Sequence, residues 1–392
     1  MKECDFPQYK AADRQLLVDV STFIHVDDGS GIQRVVRNIL KCFQQSPPSE
    51  VRVRPVYRKG GGYWYAAKFS AGGSSQDRGV EDGPVRVINR GDVFLGLDLD
   101  HKIDAGAQRF LQRQQREHGL LVYFVVYDLL AVTHPEWFNR HLSAVFRTWL
   151  KRVVAVADGL VCISKSVAEE LTVYLADYKS VKDVEIDFFH LGADISPQEH
   201  EGCLSVEEDL IMQWLKEQTV FLMVGTLEPR KGHVQVLDAM TGLWKDGEDV
   251  LLVIAGKKGW KVEELVTGIN HHPENGEHLF WFENVSDAFL LQLYNYSSAL
   301  IMASEGEGFG LPLIEAAQHQ LPLIARDLPV FREVAADHAF YFTGSGGRDL
   351  QLALSDWLVL YHEDKHPVST NLEWQTWAQS SRQLLDAVLK QE

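Results

Sequence analysis

Apolar runs of strand length alternate with helix-length amphipathic segments almost from one end of the chain to the other, and no other feature restricts the fold as much. The strand-like runs of the first half are Leu16–Val20, Val51–Tyr57, Asp92–Leu97, Leu120–Tyr127, Gly159–Ile163 and Val184–His190. Those of the second half are Val220–Val224, Val250–Ala255, Leu279–Phe282, Ala299–Ala303 and Leu321–Ala325. Apart from Val51–Tyr57 and Val184–His190, the runs are largely continuously apolar rather than alternating, as expected of strands buried on both faces. Strands separated by helices predict parallel βαβ units. Two such series predict an α/β protein with two Rossmann-like doubly wound domains, at 1–200 and 201–370, and an amphipathic C-terminal helix within 371–392 that packs back on the first domain. Polar residues from Ser196 to Asp209 read as the linker, and the glycine-rich stretch Lys59–Gly83 reads as a loop. Ligands of this architecture sit at the carboxyl ends of the strands.

The chain has 392 residues, enough for two cores at 45% hydrophobic and 24% charged content. Its net charge of -17 repels polyanions, so nucleic acid is excluded as a general partner, and any anionic ligand needs a local positive site. Cys4, Cys42, Cys162 and Cys203 show no paired or metal-ligand spacing, which implies reduced thiols and no metal centre. The polar stretch Met1–Arg14 carries no leader pattern. The longest apolar stretch, Leu120–Val132, is interrupted by Asp128 and falls short of the roughly 20 residues that span a bilayer. A cytoplasmic protein is expected, with peripheral contact at the inner face of the membrane left open.

Two loops carry the chemistry. After the run ending at Ala303 comes Ser304–Glu315 (SEGEGFGLPLIE). Its glycines let backbone approach a ligand, Pro312 suits a first helical turn, and the helix start at Gly308, Phe309, Gly310 and Leu311 favours phosphate. The carboxylates Glu307 and Glu315 are suited to accept hydrogen bonds from hydroxyls. A ligand with both phosphate and hydroxyls is a nucleotide sugar. After the run ending at Val224 comes Gly225–Gly232 (GTLEPRKG), where Arg230 and Lys231 form a local cationic site in an acidic protein. Together they suit a departing diphosphate and need no metal.

In combination these strings resemble the retaining GT-B glycosyltransferases of family 4. Glu307–Glu315 is similar to the family's signature of two glutamates with seven residues between them, and Gly225–Gly232 to its diphosphate loop. Gly256–Trp260 (GKKGW), Ser286–Tyr296 and Arg326–Val334 extend the resemblance over most of residues 219–345. In the first half, Val18–Ser21, Gly29–Arg37 (GSGIQRVVR), Val126–Leu129, His134–Phe138 and His190–Asp194 are similar to a subgroup that builds bacterial O-antigen and capsule polysaccharides, in which mannosyl- and rhamnosyltransferases are common. The resemblance implies two facing domains with a cleft between them, no cofactor, and a nucleoside diphosphate sugar as donor, GDP-linked before UDP- or dTDP-linked. It implies a glycan or lipid-linked glycan acceptor, with a polysaccharide assembly complex as a further candidate partner.

The same resemblance distributes roles. Glu315 would bind ribose hydroxyls, Glu307 the donor sugar, and Arg230 and Lys231 the diphosphate. Thr226, Gly256 and Lys257 would line the nucleotide. Gly29 and Gly31 would bring first-domain backbone to phosphate and acceptor. Thr226 stands where many relatives have arginine, and Tyr127 stands before Asp128 where many have histidine. Asp128 is the candidate for orienting the acceptor hydroxyl, with His134, Tyr127 and Ser164 beside it; Ser164 also reads as an N-cap and His134 as a loop residue. Trp260 reads equally as a base-stacking or a packing residue, and His271–His272 as a solvated loop. Two rival functions remain at this stage: a nucleotide-sugar epimerase, and a non-catalytic subunit of an assembly complex.

Overall fold

The computed structural model describes residues 14–27, 30–49, 51–70, 82–176, 183–194 and 206–390. Gly29, the segment 71–81, Cys4, Cys203 and most of the expected linker lie outside them. The chain divides into two units. The first comprises residues up to Pro135, Asn139–Gly192 and the segment from Gln375; the second comprises Glu136–Phe138 and Ala193–Trp374.

In the first unit the strands are β1 (Gln15–Asp19), β2 (Arg52–Lys59), β3 (Gly62–Tyr65), β4 (Gly83–Pro84), β5 (Val93–Gly96), β6 (Leu121–Val126), β7 (Gly159–Cys162) and β8 (Glu185–Phe188). They form one sheet in the order β4-β3-β2-β1-β5-β6-β7-β8. Every pairing from β2 through β8 is parallel, for example Leu16 opposite Val53 and Val93. The exceptions are the antiparallel edge strands β3 and β4. They correct the reading of Lys59–Gly83 as a loop. Gly60 and Gly61, at φ 61° and 74°, make a two-residue turn of the kind that closes hairpins.

The helix Trp377–Val388 packs within this unit, where Gly192 bridges Gln375 and the backbone amide of His190 donates to Gln383 Oε1 at 3.1 Å. Its start is fixed by a reciprocal cap between Thr376 and Gln379. The expected helix Pro135–Ala157 is broken instead. A single 3-10 turn spans Pro135–Trp137, and Asn139 then caps a new helix, Arg140–Val154, by accepting from Leu142 N at 2.7 Å.

The second unit holds β9 (Thr219–Val224), β10 (Val250–Ala255), β11 (Leu279–Phe282), β12 (Ala299–Met302), β13 (Leu323–Arg326) and β14 (Ala339–Phe342). Their order is β11-β10-β9-β12-β13-β14, and all pairings are parallel. Every residue of β10 is buried, which is why its sequence, VLLVIA, never alternates. Two helices escaped the sequence reading: Val206–Leu215, which begins inside the expected linker, and Gly347–His362, whose Leu350, Leu354, Trp357 and Leu358 bury one face.

Strand order fixes where a site can form. From β9 the chain moves outward through β10 and β11, then crosses to β12 on the other side of β9. The loops leaving β9 and β12 therefore part company at one point, the switch point where ligands of doubly wound sheets bind. The loop after β9 is seated by close backbone approach. A Cβ placed on Gly256, just past β10, would lie 1.9 Å from the Gly225 carbonyl oxygen. Leu227 then pairs with the next loop, its amide donating to Lys257 O at 2.9 Å and its carbonyl accepting from Gly259 N at 3.1 Å. Gly256→Ala must therefore push two loops apart. It should cost about 3 kcal/mol of stability by urea titration with an unchanged m-value; a midpoint equal to wild type would contradict this packing.

Candidate functional site

The loops after β9 and β12 meet through an ion cluster. Arg230 and Lys231 stand in the 3-10 turn Pro229–Lys231, closed by Gly232 at φ 74°. Arg230 Nη1 lies 2.8 Å from Glu307 Oε2, Arg230 Nε lies 2.8 Å from Glu228 Oε2, and Lys231 Nζ pairs with Glu307 Oε1. Ser304 Oγ donates to Glu307 Oε1 at 2.8 Å, and Arg230 Nη1 donates to Gly306 O at 3.0 Å. The Glu305 amide donates to Arg230 O at 2.7 Å, so backbone as well as side chains ties the loops. The Glu307 side chain is only 9% exposed.

Burial alone would raise the Glu307 carboxyl. Arg230 and Lys231 overcome it and hold the group down to about 2, from an ordinary 4.5. Glu228 differs: burial dominates there and its carboxyl is raised, against the opposing pull of Arg230 and Lys231. His233, first residue of the helix His233–Asp246, is pushed down to about 3 by burial and by Lys231, and is neutral. The sequence reading missed Glu228, Ser304 and His233 as members of the cluster. Glu228 had a signal, since it lies inside the cationic loop string. Ser304 had none beyond its place in the loop.

Beyond Glu307 the loop is buried at Gly308, Phe309 and Gly310, and the helix Leu311–Gln318 follows. Glu315 faces the interior. It is 4% exposed and its Oε2 accepts from the Tyr294 hydroxyl at 2.8 Å. Thr226 is half-buried against the Gly259 loop, and Lys257 is exposed beside it. Trp260 is half-buried. Its Nε1 donates to Trp137 O at 2.9 Å, and its ring stacks on Phe138 at 5.8 Å, all within this unit.

In the first unit the structure separates the candidates. Asp128 follows β6, and its Oδ1 accepts from Leu130 N at 3.0 Å, starting the helix Leu130–Thr133 that ends at His134. Glu170, not singled out from sequence, joins them: burial raises its carboxyl, Asp128 adds to the rise, and Thr133 and His134 oppose it. Tyr127 and Ser164 are both held within the fold, and the reading of Ser164 as an N-cap is borne out. Tyr127 is 5% exposed and its hydroxyl donates to Leu97 O at 2.8 Å. Ser164 is fully buried and caps its helix by accepting from Val167 N at 3.2 Å. Gly31 begins the helix Gly31–Gln45 on the surface, and a Cβ there would meet nothing within 4 Å. Asp19 and Asp98 lie buried at the switch point between β1 and β5, where Asp98 accepts from Phe23 N at 2.7 Å; burial raises both carboxyls.

Among the described residues, Glu274, Glu277 and His278 are close enough to share a metal ion. They precede β11, at the amino end of the sheet and away from its carboxyl-end loops, and His278 is engaged by Glu274 at 2.7 Å and Asp249 at 3.3 Å. No helix among the described residues is long and apolar enough to cross a membrane.

Two doubly wound units, with a cation–carboxylate cluster at the switch point of the second, make up a GT-B fold. Solved structures of that fold superimpose on the whole chain. A sucrose-phosphate synthase from Thermosynechococcus elongatus gives a TM-score of 0.59 at 14% identity, covering 96% of this chain and 95% of its own. WaaG, a glycosyltransferase involved in lipopolysaccharide biosynthesis, gives 0.57 at 15%, covering 96% and 100%. Residues 208–358 match the family described as Glycosyl transferases group 1. It is 40% identical over 382 residues to the serotype-specific mannosyltransferase WbdA of Escherichia coli, covering 96% of this chain and 46% of that protein. It is 28% identical over 154 residues to the O-antigen chain mannosyltransferase RfbU of Salmonella typhimurium, covering 39% and 42%. The chain thus spans about half the length of the curated relatives it matches.

The Glu307 cluster has a pH signature. Its folded-state carboxyl lies below the ordinary value, so the cluster stabilises the fold above pH 4.5, and that stabilisation is lost as pH falls from 4.5 through about 2. Glu307→Gln should be less stable than wild type at neutral pH by about 3 kcal/mol. The gap should close across that window when both are titrated with urea at successive pH values; a gap independent of pH would remove the ion cluster as its cause.

Proposed function

We propose that this chain transfers a sugar from a nucleoside diphosphate to a hydroxyl of a growing or lipid-linked glycan in bacterial surface polysaccharide synthesis. Mannose or a related hexose or deoxyhexose is favoured, with a GDP-linked donor. The observation that carries the reading is the cluster of Arg230, Lys231 and Glu307 at the switch point of an otherwise acidic chain. Cations at a strand's carboxyl end answer the diphosphate, and a carboxylate beside them answers the sugar hydroxyls. The relatives whose names specify mannosyltransferases support mannose as the sugar.

In this reading the bond between the anomeric carbon and the diphosphate breaks while the acceptor oxygen bonds the same carbon with retention of configuration. The acceptor's proton passes to the departing phosphate oxygen. Charge developing on the diphosphate meets Arg230 and Lys231, so no metal is required. Glu315, fixed by Tyr294, takes the ribose, and Thr226, Gly256 and Lys257 border the nucleotide. In the first unit, Asp128 and His134 orient the acceptor, while Gly31, whose glycine no packing demands, admits backbone to the phosphates. A lipid-linked acceptor would bring the protein, and any assembly complex, to the cytoplasmic face of the inner membrane.

A thermal-shift series with GDP, UDP, ADP, dTDP and their sugars, with and without EDTA, tests the reading. A ligand held only by the native state raises the melting temperature, by about 5 °C at a hundredfold excess over Kd. One nucleotide should do so regardless of EDTA, and Lys231→Ala should respond less. Silence at millimolar concentrations would favour a non-catalytic subunit, and conversion of donor sugar without acceptor would favour an epimerase.

A further inference from the structure

A single buried guanidinium joins the two loops of the site from behind. Arg326 closes β13 and is 8% exposed. Its Nε donates to Ser304 O at 3.0 Å and to Ala303 O at 3.2 Å; its Nη2 donates to Ala303 O at 3.0 Å and to Gln235 Oε1; its Nη1 donates to Gly344 O at 2.6 Å. Gln235, itself 6% exposed, stands in the first turn of the helix that follows Lys231, and its amide donates to Gly346 O at 2.9 Å. On the other side of the Ala303 carbonyl lies Gly232, where a Cβ would come within 2.3 Å of that oxygen. Ala303 and Ser304 lead directly into Glu307, and Gly232 directly follows Lys231.

A buried charge is costly unless hydrogen-bonded, and an apolar residue of similar size often stabilises a core equally well. Stability alone therefore does not explain why a guanidinium stands here. What its planar fork supplies, and an apolar side chain or an ammonium does not, is a fixed set of directions to several carbonyls at once. We propose that Arg326 is a positioning residue. It sets the distance between the Glu307 loop and the helix behind Arg230 and Lys231, and so holds the diphosphate site in its binding geometry. The link to diphosphate rests on the function proposed above; the control of loop position does not.

The experiment therefore has a nucleotide-free arm and a nucleotide arm. By hydrogen exchange without ligand, Arg326→Met should speed exchange in residues 303–310 and 230–236 by about tenfold, with β10 unchanged. Arg326→Lys, which keeps the charge without the fork, should fall between it and wild type, and it serves alone if the methionine variant does not fold. Calorimetry with GDP, well below each variant's melting temperature, should show affinity weakened by about tenfold. Ile269→Ala, a core truncation at the far end of the helix Glu263–Asn270, towards the amino ends of the strands, should retain wild-type GDP affinity. Wild-type exchange at residues 303–310 in the variants overturns the positioning role whatever the nucleotide does. Faster exchange with unchanged GDP affinity overturns its bearing on the donor. A wild type that ignores GDP while the exchange response is intact supports the positioning role and sinks the choice of a GDP-linked donor instead.

Discussion

A carboxylate 9% exposed, with two cations against it, is the constraint around which the second unit is arranged. Removing Glu307 from water is expensive unless charge and hydrogen bonds replace the lost hydration. Arg230 and Lys231 supply the charge, and Ser304 supplies a hydroxyl. That solution demands that two loops separated by some 70 residues of chain end within salt-bridge distance. Strand order does this. Since β9 and β12 are neighbours although β10 and β11 intervene in sequence, their carboxyl ends emerge side by side. The site is a consequence of the crossover, and the residues at the two strand ends exploit it.

The second layer of the arrangement is made of backbone. Gly256 lets one loop rest on the carbonyl of Gly225, and Gly232 lets the helix start rest on the carbonyl of Ala303. Arg326 takes that same Ala303 carbonyl from the other side. Side chains that bear charge are flexible, and they define a binding geometry only when the backbone beneath them is fixed to a fraction of an ångström. In this unit the glycines and the guanidinium set the backbone, and the ion cluster follows from it.

Much of this was legible beforehand, for a physical reason. A strand buried on both faces must be largely apolar, so β6, β9, β10 and β12 announce themselves as hydrophobic runs. Glycines, adjacent cations and spaced carboxylates at their ends mark the loops. What was lost has equally physical causes. The strand β3 hid behind Gly60 and Gly61 because a hairpin turn and a loop share composition. The helix Gly347–His362 carried its periodicity but followed a polar turn that resembled chain end. Arg326 was quoted only as part of a string, since a lone arginine after a strand looks the same whether it faces water or holds four partners.

The first unit shows where pattern reasoning stops. Tyr127 and Asp128 are adjacent in sequence, yet successive side chains leaving a strand point to opposite sides. Tyr127 goes into the core to meet Leu97 O, and Asp128 turns out to start a helix. Ser164 shows the same ambiguity: a serine opening a helix at a strand's carboxyl end suits a ligand or a cap, and full burial decides for the cap. Glu170 is the converse. It lies well inside the helix Lys165–Ala176, where a glutamate is ordinary, and only the tertiary fold brings it to Asp128 and His134.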